Sequence, residues 1–211
     1  MSTFAKRERL LLADLLETAG PEAPTLCEGW LTRDLAAHVV VRERRPDAAG
    51  GILIKKLASR LDKTMEEFTA KPYEELIQLI RTGPPRFSPF QLKQLDEASN
   101  TIEFYVHAED VRRAQPEWTP RELDPVFQDA LWARMERAAR LMGRSTPTGL
   151  VLRRPDGRTV VANRGTPVVT ATGEAAELLL FLHGRRSAAQ VDLTGDADAL
   201  AKLRGGGQLG L

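Results

Sequence analysis

Apolar side chains recur at three- and four-residue intervals up to about residue 145, then fall into short β-branched runs. From about Thr3 to Ala19, Leu10, Leu11, Ala13, Leu15 and Leu16 sit among charged residues, and Gly20-Pro21 stops the pattern, which predicts a helix. After a proline-containing loop, Thr32 is placed to cap a second helix, with Asp34 in the first turn complementing the positive end of the dipole. That helix carries Leu35, His38, Val39 and Val41 toward Pro46. Ile52, Leu53, Leu57 and Leu61 predict another over 51–62, and Pro72, at a permitted first-turn position, opens one through Leu76, Ile77 and Ile80. The closely spaced prolines between Thr82 and Pro89 predict a loop. Helical spacing resumes from about Gln91 to Ala114, with Leu92, Leu95, Ile102 and Val106 along one side, and again from Leu123 to Met142, before Gly143.

The grammar then changes. Gly149 to Arg154, a Pro155-Asp156-Gly157 turn and Thr159 to Ala162 form a hairpin pattern. Thr166 to Thr172 predicts a third strand and Gly173 to Leu182 a strongly apolar helix. From Val191 a short strand leads to a final helix, and Gly205 to Gly207 makes a turn near the end. The expected fold is therefore mainly α, with a helical domain over 1–145 and a small α+β domain over 146–211.

Composition narrows the partners. Hydrophobic residues make up 42% and charged residues 28%, as in ordinary globular domains. The 30 basic and 29 acidic side chains nearly cancel, so no global field favours nucleic acid. Cys27 is the sole cysteine and excludes an internal disulfide. The first residues lack a secretory apolar stretch, and no apolar run approaches the roughly 20 residues that span a bilayer. The expectation is a cytoplasmic protein with no membrane or nucleic-acid partner, as a monomer or homodimer.

The chain has three histidines. Glu103 and His107, four apart, share one helix face and either grip one ion together or simply hydrogen-bond in solvent. His38 is either their third partner or a satisfied core histidine. Two imidazoles and a carboxylate suit Zn²⁺ or a similar divalent ion, and three protein ligands leave a position open. Asp34 reads as a helix-start charge rather than an orienting partner of His38. Asp110 either orients His107, adds a ligand, or lies on the surface. Arg42 and Arg45, one and two turns after His38, either bind an acidic substrate or cofactor or pair with Glu43 and Asp47. Cys27 reads as inert, His183 as a helix-end cap, and Trp30, Trp118 and Trp132 as core.

The segments Cys27–His38 (CEGWLTRDLAAH) and Glu103–Arg112 (EFYVHAEDVR) resemble the mycothiol-dependent maleylpyruvate isomerase family, within the DinB-like metal-binding superfamily, and most of all its actinobacterial metal-binding branch. Glu174–Arg185 (EAAELLLFLHGR) resembles the family's sterol-carrier-like C-terminal domain. The resemblance implies a DinB-like bundle with a four-helix core and an extra helix. It also implies zinc, or another divalent ion such as Ni²⁺, held by His38, Glu103 and His107, and Arg185 as a substrate-binding arginine. The implied activity is isomerisation or S-transfer, with the metal activating a small thiol such as mycothiol for attack on a small electrophile. Two rival readings stand beside it: a non-catalytic protein that binds metal or a small ligand, and a metal-dependent hydrolase.

Overall fold

The computed structural model describes residues 3–49, 58–86 and 88–205. Helix α1 (Phe4–Ala19) starts at Thr3, whose hydroxyl accepts from the Lys6 N–H at 3.2 Å, and stops at Gly20, where φ is 77°. Helix α2 (Thr32–Arg44) begins one residue earlier than its sequence suggests. Leu31 occupies the N-cap, and Asp34 reaches back to accept the Leu31 N–H at 2.9 Å. Thr32 is not the cap, because its hydroxyl donates to the Gly20 carbonyl. A single turn, α3 (Pro46–Ala49), follows.

The helix expected over 51–62 begins outside the described residues, and its later part falls in α4 (Ala58–Thr69). Helix α5 (Tyr73–Thr82) starts directly after Pro72, and a 3₁₀ turn at Pro89–Gln91 leads into α6 (Lys93–Arg112). Helices α1, α2, α5 and α6 enclose one core, with α4 laid against α2. Leu12, Leu16, Leu35, Leu76, Ile80 and Phe104 are fully buried there, each contributing about 1.5–3 kcal/mol. No helix among the described residues is long and apolar enough to cross a membrane.

Helix α7 (Pro125–Gly143) opens with Pro125 at its first position and Asp124 accepting the Phe127 N–H at 2.9 Å. Strands β1 (Gly149–Arg153), β2 (Thr159–Asn163), β3 (Val168–Thr172) and β4 (Asp192–Gly195) form one sheet in the order β2-β1-β3-β4. β1 runs antiparallel to β2 and parallel to β3, while β3 runs antiparallel to β4. Helix α8 (Ala175–Leu182) is buried along its whole length, and α9 (Ala197–Gly205) closes the described chain, leaving the end of the expected Gly205–Gly207 turn outside it.

Compact units form over 1–120 and 121–211, which places α7 with the sheet rather than with the preceding helices. It packs on β2 and α8. Periodicity over Leu123 to Met142 specified an apolar stripe but not its partner, so the division near 145 assigned α7 to the other side.

At Gly149 the backbone of β1 passes so close to the Gly165 carbonyl that an added Cβ would lie 1.9 Å from its oxygen. Backbone cannot swing aside as a side chain can. Gly149→Ala is therefore expected to lower stability by at least about 3 kcal/mol, at the upper end for overpacking, read as a fall in the urea midpoint. An unchanged midpoint would show that the strand end relaxes freely.

Candidate metal centre

Helix α2 brings His38, and α6 brings Glu103 and His107 on one face, to a common point. His38 Nε2 and His107 Nε2 each lie 3.3 Å from Glu103 Oε1. The two imidazole rings meet edge to face with centroids 5.3 Å apart, and one donor atom from each of the three residues lies within 4.8 Å of the others. Metal–ligand bonds of about 2.0–2.1 Å in tetrahedral array separate donors by about 3.3 Å, so these residues fit a zinc-sized divalent cation.

The surroundings bias each donor. His107 Nδ1 is 2.9 Å from Asp110 Oδ2, which also accepts from Cys27 Sγ at 3.2 Å. Arg42 Nε lies 3.2 Å from Glu103 Oε1, and its Nη1 donates to Asn100 Oδ1 at 2.6 Å. Asn100 in turn donates to Asp96 at 2.7 Å, and Asp96 accepts from the buried Arg9 at 3.3 Å. Arg9 is held by Glu43 through two hydrogen bonds of 2.5 and 2.6 Å. One polar chain thus links the middle of α1 to the candidate centre.

Burial lowers the His38 pKa below the ordinary imidazole range, against the opposing pull of Glu103. Burial alone would raise Glu103, but His107, His38 and Arg42 outweigh it and hold the carboxyl well below its usual value. For His107, burial disfavours charge, yet Asp110, Cys27 and Glu103 prevail and raise its pKa well above normal. Without a cation, the proton belongs on His107, between two carboxylates.

The other sequence candidates distribute differently. Arg42 joins the cluster, whereas Arg45 pairs with Asp47 at 3.0 Å and lies 3.8 Å from Glu67. Glu43 is taken by Arg9 rather than by the arginines of its own helix. Arg185, in the second unit, donates to the His183 carbonyl at 2.6 Å, and His183 caps α8. Trp132 is core, Trp118 lies under Arg113, and Trp30 sets its ring 5.2 Å from that of His38. Sequence reasoning missed the contacts of Trp30, Asn100 and Cys27 with this site. The only available signal was that Cys27 and Trp30 share the loop leading into the helix of His38.

In comparison with the curated proteins, the sequence matches none. A solved structure of a histidine-to-alanine mutant of the mycothiol-dependent maleylpyruvate isomerase is 16% identical, covering 92% of this chain and 96% of that one, with a TM-score of 0.56. A second structure of that enzyme is 17% identical over the same shares, with a TM-score of 0.49. The first likeness shows a shared fold: a mainly helical chain ending in a small sheet-containing unit. The profile of the mycothiol maleylpyruvate isomerase N-terminal domain matches residues 5–140, from α1 through most of α7, and the chain therefore belongs to that family.

Proposed function

We propose that the protein binds a divalent cation, zinc foremost with nickel as the alternative, through His38, Glu103 and His107. We further propose that it works as a mycothiol-dependent isomerase or S-transferase. The observation that carries this reading is the convergence of two imidazole nitrogens, one from each of two helices, on Glu103 Oε1, each at the 3.3 Å that separates donors in a tetrahedral site. A cation held by these three residues would supply the charge that keeps a small thiol as thiolate at neutral pH.

The chain's own residues supply the rest. Asp110 keeps the imidazole of His107 turned toward the cluster, and Arg42 holds the Glu103 carboxylate while placing a guanidinium beside the site. Trp30 walls His38 on the loop side. Addition of the thiol sulfur to an activated double bond would leave a single bond free to rotate. Expulsion of the thiol then restores the double bond in its other geometry, and in transfer the sulfur stays attached. Arg42 is the residue placed to meet an acidic group of the electrophile. Arg45 and Arg185 are further candidates for binding the cofactor and the substrate; Arg45 also pairs with Asp47, and Arg185 donates to the His183 carbonyl.

Titration of mycothiol into the cobalt-loaded protein tests the thiol step. Sulfur-to-cobalt absorption bands that grow with mycothiol are the expected result. If mycothiol changes neither the spectrum nor the thermal midpoint, the protein is a metal or small-ligand binder instead. Hydrolysis of an activated ester, without thiol, would favour the hydrolase reading.

A further inference from the structure

The loop between α1 and α2 touches both histidines of the candidate centre, each through a different residue. Trp30 lies against His38, and Cys27 meets both His107 and its partner Asp110. Its shape is fixed by internal and docking hydrogen bonds. Thr25 Oγ1 donates to the Trp30 carbonyl at 2.8 Å, and the Trp30 N–H donates to the Cys27 carbonyl at 3.0 Å. Gly29, with φ at 75°, makes the turn between them, and Pro24 pairs with Leu31 across the loop base.

The docking point on α6 is Asp110 itself. This residue lies in the last turn of α6, where carbonyls lack partners within the helix. The Leu26 N–H takes the Asp110 carbonyl at 3.0 Å, while the side chain of the same residue receives Cys27. Gln115 fastens the neighbouring turn, donating to Val111 and Pro24 carbonyls at 3.0 and 3.1 Å. The side chain of Asp110 is fully buried, and a buried carboxylate must be satisfied by donors.

From this geometry we infer that Asp110, clamped by the Cys27 loop, is the positioning residue of the centre: it holds His107 in the Nδ1–H tautomer, presents Nε2 to the cation, and makes Cys27 a donor to Asp110 rather than a ligand. This inference rests on the metal-binding reading above. Cys27, His107 and Asp110 also lie close enough to form a second donor group. Direct ligation by that group would use His107 Nδ1, which cannot both donate to Asp110 and bind a cation. The 2.9 Å contact between them is an ordinary charge-assisted hydrogen-bond length. Orientation of a ligating imidazole by an outer carboxylate is typically worth about 10–100-fold in metal affinity.

The test measures zinc affinity of the full chain by competition with a chromophoric chelator, for wild type, Asp110→Ala, Asp110→Asn, Cys27→Ala and Cys27→Ser. Asp110→Ala should weaken binding by about 10–100-fold, and Asp110→Asn by less, since its amide oxygen can still accept from Nδ1. Both Cys27 variants should stay within a few-fold of wild type. Cobalt-loaded wild type without added thiol should lack sulfur-to-cobalt bands. Undiminished affinity in Asp110→Ala would overturn the inference, as would sulfur-to-cobalt bands that vanish in Cys27→Ser. If Asp110→Ala does not fold, Asp110→Asn decides in its place, and an affinity equal to that of wild type would overturn the inference. Failure of wild type to bind zinc at all would instead remove the metal-binding reading itself.

Discussion

Replacing His38 or Glu103 by alanine is expected to weaken divalent-metal binding by more than about 100-fold, beyond the 10–100-fold typical of an outer-shell partner. Each substitution removes one of three donors, and among the described residues no fourth ligand stands in the same group. Metal content of the purified variants, measured beside wild type, is the readout; full retention in both would sink the metal site. The binding should also carry a proton signature. Glu103 is held ionised and His38 neutral, so neither competes at pH 7, but His107 keeps its proton well above the ordinary value of about 6.5. Uptake near pH 7 therefore releases about one proton, and affinity rises with pH until His107 loses that proton unaided. The sign for the metal-free fold is the reverse. The charge on His107 stabilises it below the unfolded pKa, and that contribution disappears as pH rises through the folded one.

Glu43→Ala is expected to cost about 3–5 kcal/mol, because it strands a buried guanidinium. The side chains of Arg9 and Glu43 are only 5% and 1% exposed, so water cannot replace the lost partner, and Asp96 at 3.3 Å is a longer, single contact. A fall of roughly 6–20 °C in the thermal midpoint follows for a chain of this size. The double variant Arg9→Met, Glu43→Leu should recover most of it, since apolar groups of similar volume need no counter-charge. A single variant melting like wild type would show that Arg9 finds solvent or another acid.

The amphipathic helices were legible because each buries one stripe: Leu12 and Leu16 in α1, or Leu76 and Ile80 in α5, announce themselves by spacing, whereas α8, buried all round, was legible by its apolar run. Spacing could not say which surface receives a stripe, and α7 went to the sheet. Nor could it separate Thr32 from Leu31 at the start of α2, since a threonine hydroxyl serves a distant carbonyl as readily as its own helix. For the candidate centre, sequence order selected the His38, Glu103 and His107 that the fold brings together. It could not reveal that Arg9 and Glu43 are internal, because charged residues usually face water. The place of Asn100, between Arg42 and Asp96, was equally hidden.

The pairing of α1 with α6 has a kinetic meaning. The Ala5 N–H donates to Glu97 across 92 residues of chain, Arg9 reaches Asp96 across 87, and His38 meets Glu103 across 65. Such long-range closures slow folding, because chain entropy is surrendered before the contacts form. On a ribosome, α1 can already pack on α5, but the flank that it turns to α6 must wait uncovered until α6 has been synthesised. Arrival of that one helix completes the bundle and gathers the three donors in the same late step.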